Sequence, residues 1–194
     1  MTDKTNSATR VLLKNVRLAF PQLFEPRIDP DSGRKSYGAA FLFSWDHPQL
    51  DEIHRAMDAA GRAKWGDKWP AQKKVLEKQD RLALHDGDIK AKYAGYEGHV
   101  YINASCGEGS PPTVVDRARN LISRSDGVIY AGCYVNASLD FWAQKDHPKG
   151  GSRINAQLRG VQFFKDGEAF SAGRPADANE FEDMSDGSDA DDFI

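Results

Sequence analysis

Residues 128–144, VIYAGCYVNASLDFWAQ, constrain the fold more than any other stretch. Their odd positions are all apolar (Ile129, Ala131, Cys133, Val135, Ala137, Leu139, Phe141, Ala143), while the even ones include Asn136, Ser138, Asp140 and Gln144. A period of two puts the two sets on opposite faces of a β-strand. At about 3.3 Å per residue the run would be on the order of 50 Å long, well beyond the roughly 17–20 Å of an ordinary strand. It must therefore bend, most easily at Gly132 or Ser138, as a strand shared by two sides of a small barrel does. With the odd face buried, Tyr130, Tyr134 and Trp142 point outward; a bulge at Gly132 would swap the faces on one side of it.

The rest of the chain supplies partners for such a strand. Residues 11–20 place Leu12, Val16, Leu18 and Phe20 on one parity, interrupted by Lys14, and the strand is expected to end at Pro21. Residues 21–35 hold three prolines and an Asp-Ser-Gly turn, which reads as an ordered loop closing on a hairpin. Residues 36–44 alternate Tyr37, Ala39, Phe41 and Phe43 and should pair antiparallel with the first strand. Further strands are expected at 99–106, 113–115 and 153–164. The last has Ile154, Ala156 and Leu158 on one face and Arg153, Asn155, Gln157 and Arg159 on the other. A tight turn at 165–168 and a short return strand from Ala169-Phe170 should follow. One amphipathic helix is expected over 48–64, with Leu50, Ile53, Met57 and Ala60 spaced by three and four, Asp46 or His47 capping and Gly66 stopping it. The fold class is thus mainly β, a β-barrel with one or two helices.

Charge divides the chain. It carries 26 Lys+Arg against 29 Asp+Glu, but eight of the acids lie from Asp177 onward, among them Asp189, Asp191 and Asp192, and that stretch ends on Phe193-Ile194. Residues 1–176 therefore hold 26 basic against 21 acidic groups, net +5. A segment so charged and so poor in apolar surface cannot repay the entropy of ordering. The expected organisation is a flexible start at 1–9, a domain at 10–174 and a disordered acidic tail at 175–194. A basic body with an acidic flag suits a polyanion-binding domain, the apolar terminus being a hook for a partner protein; the bland alternative is a solubilising tail. No run approaches a membrane span of roughly 20 apolar residues, and the polar start lacks a signal region, so a cytoplasmic protein is expected. Cys106 and Cys133 lie in strand-like runs and read as buried free thiols. No cofactor motif is evident.

Residues 62–96 interleave Trp65, Trp69, Tyr93 and Tyr96 with nine Lys and Arg, Lys92 among them. Positive charge attracts phosphates and ring faces stack unpaired bases, which suits single-stranded nucleic acid; the alternative is a solvated helix face with both tryptophans packed in the core. Candidate single-strand contacts are therefore the rings Tyr130, Tyr134, Trp142, Trp65, Trp69 and Tyr93, with Arg153, Arg159, Lys92 and, in the loop after 144, Lys145 and Lys149 on the backbone. Two other classes compete. A metal-dependent nuclease is suggested by His85-Asp86-Gly87-Asp88, though Asp-Gly-Asp is a common turn composition. A viral adaptor or structural protein would use the barrel to bind other proteins. No Walker-type loop, GxSxG elbow or activated cysteine pattern is present.

The segments GCYVNASLDFWAQ and RINAQLRGVQFFKDGEAF, with VRLAFPQLFEP, KWGDKWP and PPTVVD, resemble a family of tailed-phage single-stranded DNA-binding proteins, over most of residues 11–172. The resemblance implies an OB-fold, a five-stranded Greek-key barrel with extra strands and loops, binding single strands without regard to sequence in phage replication and recombination inside a bacterium. The acidic, Phe-containing terminus is similar to those through which bacterial and phage single-strand-binding proteins recruit replication and repair proteins. Residues Asp189, Asp191, Asp192, Phe193 and Ile194 would be that partner-binding end. A homodimer is compatible with all of this.

Overall fold

In the computed structural model, which describes residues 8–170, the first strand, β1 (Arg10–Ile28), does not stop at Pro21. It continues because two irregularities absorb what a straight strand could not. Asn15 (φ 53°) and Phe20 (φ 48°) adopt left-handed backbone, and the pairing register shifts at both places. Each acts as a bulge that re-aims the residues after it. Val11 and Leu13 are buried before the first, Val16 and Leu18 after it, and Leu23 after the second. Leu12 and Phe20, expected inside, are 49% and 56% exposed. Pairing with the next strand lapses between Ala19 and Gln22, where Pro21, lacking an N–H, is accommodated.

The hairpin turn falls where the Asp-Ser-Gly triplet lies. Asp29 N–H donates to Arg34 O at 2.8 Å, and Asp29 Oδ1 accepts from the backbone of Asp31 and Ser32. β2 (Lys35–Ser44) returns along β1. Two helices follow, α1 (Leu50–Trp65) and α2 (Trp69–Lys78), joined by a short turn at Gly66, whose φ of 56° ends α1 as expected. The N-cap is Gln49 rather than Asp46 or His47. His47 Nδ1 instead accepts from Gln49 N–H, and Asp46 accepts from Ser44.

The remaining strands are β3 (Leu84–Asp86), β4 (His99–Gly107), β5 (Thr113–Val115), β6 (Tyr134–His147) and β7 (Gly151–Lys165). β1 pairs with β2 and β6, β2 with β4, and β6 with β7, all antiparallel. The ring closes through a parallel contact of β4 with β7 at Ala104↔Ala156 and Ser105↔Gln157. The circuit β1-β2-β4-β7-β6 is the five-stranded barrel of the OB type, with β3 and β5 as the extra strands. Leu13, Phe41, Ile102, Val135, Leu139 and Phe141 fill it, and α1 closes one side with Ile53, Ala56 and Met57.

β6 keeps the expected inner face, since Cys133, Val135, Ala137, Leu139 and Phe141 are all buried. It begins only at Tyr134, however. Gly132, at φ 107°, turns the chain, and a Cβ there would overlap the Glu168 carbonyl. The ladder with β7 slips again between Ser138 and Leu139. Residues 166–170 form no hairpin: Tyr130 Oη donates to Asp166 Oδ1 at 2.9 Å and Phe170 N–H to Ala131 O at 2.9 Å, strapping the chain against residues 130–132. Thr9 is already fastened, its Oγ1 donating to Asp140 Oδ1 at 2.8 Å. The expected tail at 175–194 and most of the polar start lie outside the described residues. Cys106 and Cys133 are free and buried.

Candidate nucleic-acid interface

The turn between β1 and β2 and the turn between β6 and β7 stand on either side of a groove of about 810 Å³. Its floor follows from strand register: Trp142 faces Asn155 and Gln144 faces Arg153 across the β6–β7 ladder, with Gln157 beyond. β4 contributes Asn103 and Ser105, both exposed because their neighbours Ile102, Ala104 and Cys106 point into the core. Arg34, Lys149 and Arg153 supply positive charge. The one carboxylate at the rim, Asp29, is held below the usual carboxylate range by the Ser32 hydroxyl and backbone and is committed to its turn. Strand-face amides, a half-exposed indole and three cations are what a sequence-tolerant single-strand groove requires: charge for phosphates and a ring face for bases.

The groove does not end at the barrel seam. A second concavity of about 230 Å³, over β1 and β2, shares Ser36, Asn103 and Ser105 with it. Gly38 keeps that floor low, because a Cβ there would lie 2.8 Å from Ala104 O. At its far side Phe20 meets Tyr93 edge-on at 5.3 Å, with Lys92 Nζ 5.1 Å over the Tyr93 ring and Lys90 Nζ 4.5 Å over that of Tyr101. Beneath these rings Tyr96 and Tyr101 pack with Ala19, Ala40 and Leu42 on the outer face of the sheet. Burial, with the neighbouring Tyr101 and Tyr93 phenols, pushes the Tyr96 hydroxyl up to about 12.

A third gap, about 150 Å³, opens off the groove where residues 80–83 wedge between β4 and β7. Ile154 N–H donates to Arg81 O at 3.0 Å while Leu84 pairs with Ile102, so the two strands are prised apart beyond Ala156. Arg153 and Asn155 line both the groove and this gap. Arg153 Nε and Asn155 Nδ2 are buried and have no partner among the described residues. A buried donor without an acceptor costs on the order of 1–3 kcal/mol, so two together on one sill leave an acceptor to be accounted for.

The residues expected from sequence separate into groups. Trp142, Lys149 and Arg153 come together in the groove, and Lys92 and Tyr93 stand at the far end of its extension. Tyr134 lies apart from Trp142, in a rung that crosses the sheet as Tyr101, Leu42, Arg17, Tyr134 and Lys165. Its ring has Lys165 Nζ at 4.5 Å and the Arg17 guanidinium at 5.5 Å. The other expected contacts lie outside the groove lining. Tyr130 spends its hydroxyl on Asp166 and Gly167. Arg159 pairs with the buried Asp140 at 3.1 Å, a carboxylate also approached by Arg10. Lys145 falls on the opposite side of the β6 ribbon from Trp142 and Gln144 and does not line the groove. Trp65 and Trp69 stack on each other at 5.5 Å; Trp69 is 2% exposed, lies against Gly61 and donates to Asp58 at 2.9 Å, so its ring is not offered to a base, while the partly buried Trp65 gives one face to it. The tail residues Asp189, Asp191, Asp192, Phe193 and Ile194 lie outside the described residues. Sequence reading missed Arg34 and Asn103, whose only signal was position, in a turn and on an outward strand face, and Phe20, which a bulge turned outward.

The His-Asp-Gly-Asp segment is occupied locally. His85 Nδ1 lies 2.8 Å from Asp80 Oδ1, Asp86 Oδ1 accepts from Asp88 N–H, and Asp88 Oδ1 from Gly98 N–H. Among the described residues no three His, Cys, Asp or Glu side chains are grouped to hold a metal ion, and no helix is long and apolar enough to cross a membrane.

The family described as Enterobacter phage Enc34, ssDNA-binding protein, matches residues 9–194. Putative protein p50 of Acyrthosiphon pisum secondary endosymbiont phage 1 is 40% identical over 179 residues, covering 91% of this chain and 94% of that protein. The solved structure of the single-stranded DNA-binding protein from bacteriophage Enc34 in complex with ssDNA superposes with a TM-score of 0.69 at 23% identity, covering 88% of this chain and 97% of that one. A C-terminal truncation of the same phage protein gives 0.59 at 26% identity, covering 88% and 95%. The gp2.5 single-stranded DNA-binding protein encoded by bacteriophage T7 gives 0.59 at 11% identity, covering 91% and 100%, a likeness of fold.

Proposed function

The chain belongs to the family of the Enterobacter phage Enc34 ssDNA-binding protein, and on that premise we propose that it binds single-stranded DNA, without chemistry and without regard to sequence, in phage replication and recombination. The observation that carries this is the groove between the two hairpin turns, where Trp142, Arg34, Lys149 and Arg153 converge over a floor of strand-face amides. A duplex cannot present an unstacked base to Trp142; a single strand can. The strand enters between the turns, crosses Asn103 and Ser105, and leaves over Phe20 toward Tyr93 and Lys92. At roughly 4–16 nucleotides per barrel of this type, one chain covers a short stretch.

The acidic terminus completes the reading. Eight carboxylates on a body of net +5 compete with phosphate for the basic groove, and DNA releases the end bearing Asp189, Asp191, Asp192, Phe193 and Ile194 to replication or recombination proteins. Phe170, the last described residue, lies under the Arg17 guanidinium at 4.2 Å and against Gly95, in the loop that carries Tyr93. Phe170 thus sits beside the aromatic end of the track. The setting is the cytoplasm of the bacterial host.

Filter binding of a labelled 30-nucleotide oligo-dT against a matched duplex tests the reading. Retention of the single strand at low salt, with the duplex passing through, is expected. Equal retention of both would contradict single-strand binding, and retention of neither would leave a viral adaptor in front.

A further inference from the structure

We infer that the gap between residues 80–83 and β7 is a base-reading subsite, in which Arg153 Nε and Asn155 Nδ2 donate to the carbonyl edge of one nucleobase. The inference rests on the single-strand reading and gives it a chemistry. Both atoms are donors, both are buried, and neither meets an acceptor among the described residues. They sit two residues apart on the same face of β7, and both residues line the sill between groove and gap. Whatever occupies that place must present an acceptor oxygen.

Two parts of a DNA strand carry such an oxygen, a backbone phosphate and a base carbonyl. The walls decide between them. Ala83, Ile154 and Ala156 line the gap and are themselves buried. Set among Asp80, Arg81, His85 and Asn103, these side chains offer a base face apolar contact that a phosphate charge would not use. Asp80, at the same gap, sets a carboxylate beside His85 where a phosphate would be repelled. Of the two guanidiniums at the gap, Arg81 is held by its Nη1 on Gly150 O at 2.9 Å. Trp142, directly across the ladder from Asn155, is placed to stack the neighbouring base while this one turns inward.

The gap, at about 150 Å³, holds a single ring more readily than a fused pair. Thymine and cytosine offer carbonyl oxygens on one ring, whereas adenine has none and is larger. Binding tolerant of sequence therefore carries a built-in preference for pyrimidines at one position in each site.

The test uses the full-length protein, titrated with labelled oligo-dT, oligo-dA and an abasic deoxyribose-phosphate chain of the same length. Asn155→Leu keeps the shape and removes the donors; Arg153→Lys keeps the charge and removes the Nε fork. Each is expected to lose about three- to tenfold in affinity for oligo-dT, to lose less for oligo-dA, and Asn155→Leu to leave the abasic chain unchanged. Should Asn155→Leu fail to fold, Asn155→Asp, which replaces donors with acceptors in the same shape, must show a larger loss on oligo-dT than on oligo-dA. Equal losses on all three chains would assign these donors to phosphate and overturn the inference, as would variants that bind oligo-dT like the wild type. Wild-type protein that bound none of the three would instead overturn the single-strand reading itself.

Discussion

Trp142 and Asn155 are direct ladder partners across β6 and β7. The half-exposed indole of the groove therefore stands beside a buried amide donor that lacks an acceptor among the described residues. A ring for stacking and a donor for a base edge occupy one rung of the barrel, and the two hairpin turns flank them.

Replacing Trp142 with alanine should weaken single-strand binding by about 1–3 kcal/mol, roughly five- to 150-fold, since that is the worth of one stacked base. Its ring is 46% exposed, so the melting temperature should move little. Anisotropy titration and a thermal melt on the same sample separate the two effects.

Neutralising the groove cations should act through salt. Arg34→Gln and Lys149→Gln should each lower the slope of log affinity against log salt by about 0.7 if each meets one phosphate of a single strand. Arg159→Gln should lower it less, because that guanidinium already faces the buried Asp140 carboxylate. Titrations at several salt concentrations give the slopes.

Trp69 marks the contrast between core and site. Trp69→Ala should cost about 3–5 kcal/mol of stability by leaving a cavity against α1, while the folded fraction binds single strands with wild-type affinity. Gly61→Ala should fail in the same way, since a Cβ there would overlap the indole. Denaturant melts combined with titration at low temperature check both.

Tyr96 should give the fold an alkaline weakness. Its hydroxyl is held protonated up to about 12 in the native state, whereas an unfolded tyrosine ionises near 10. The unfolded chain therefore releases its proton first as pH rises, and stability that is intact below pH ~10 is lost progressively toward pH ~12. Tyr96→Phe should flatten that part of the curve, as read by chemical denaturation at stepped pH.

Much of the barrel was legible in the alternation of single residues. The inner face of β6, the short β5, the inner face of β7 and the Gly66 stop follow from period and turn chemistry alone. β1 was misread because its two bulges, at Asn15 and Phe20, shift the register without any glycine to announce them. Two of the site's groups, Trp142 with Arg153 and Tyr93 with Lys92, were visible as rings beside cations. What composition could not give was which rings are free. Trp69 and Tyr130 have the same chemistry as Trp142 but spend it on Asp58 and Asp166. Closure of β4 onto β7 is a long-range event, and it alone brings Asn103 to the groove.

The decisive measurement is a fluorescence-anisotropy titration of labelled 30-nucleotide oligo-dT and its duplex at two salt concentrations, with wild-type protein, Trp142→Ala and a chain ending at Arg174. Wild-type binding should favour the single strand and weaken with salt, Trp142→Ala should lose affinity, and removal of the acidic end should strengthen binding. A wild-type protein that bound neither DNA, or bound the duplex as well as the single strand, would contradict the assignment of the groove.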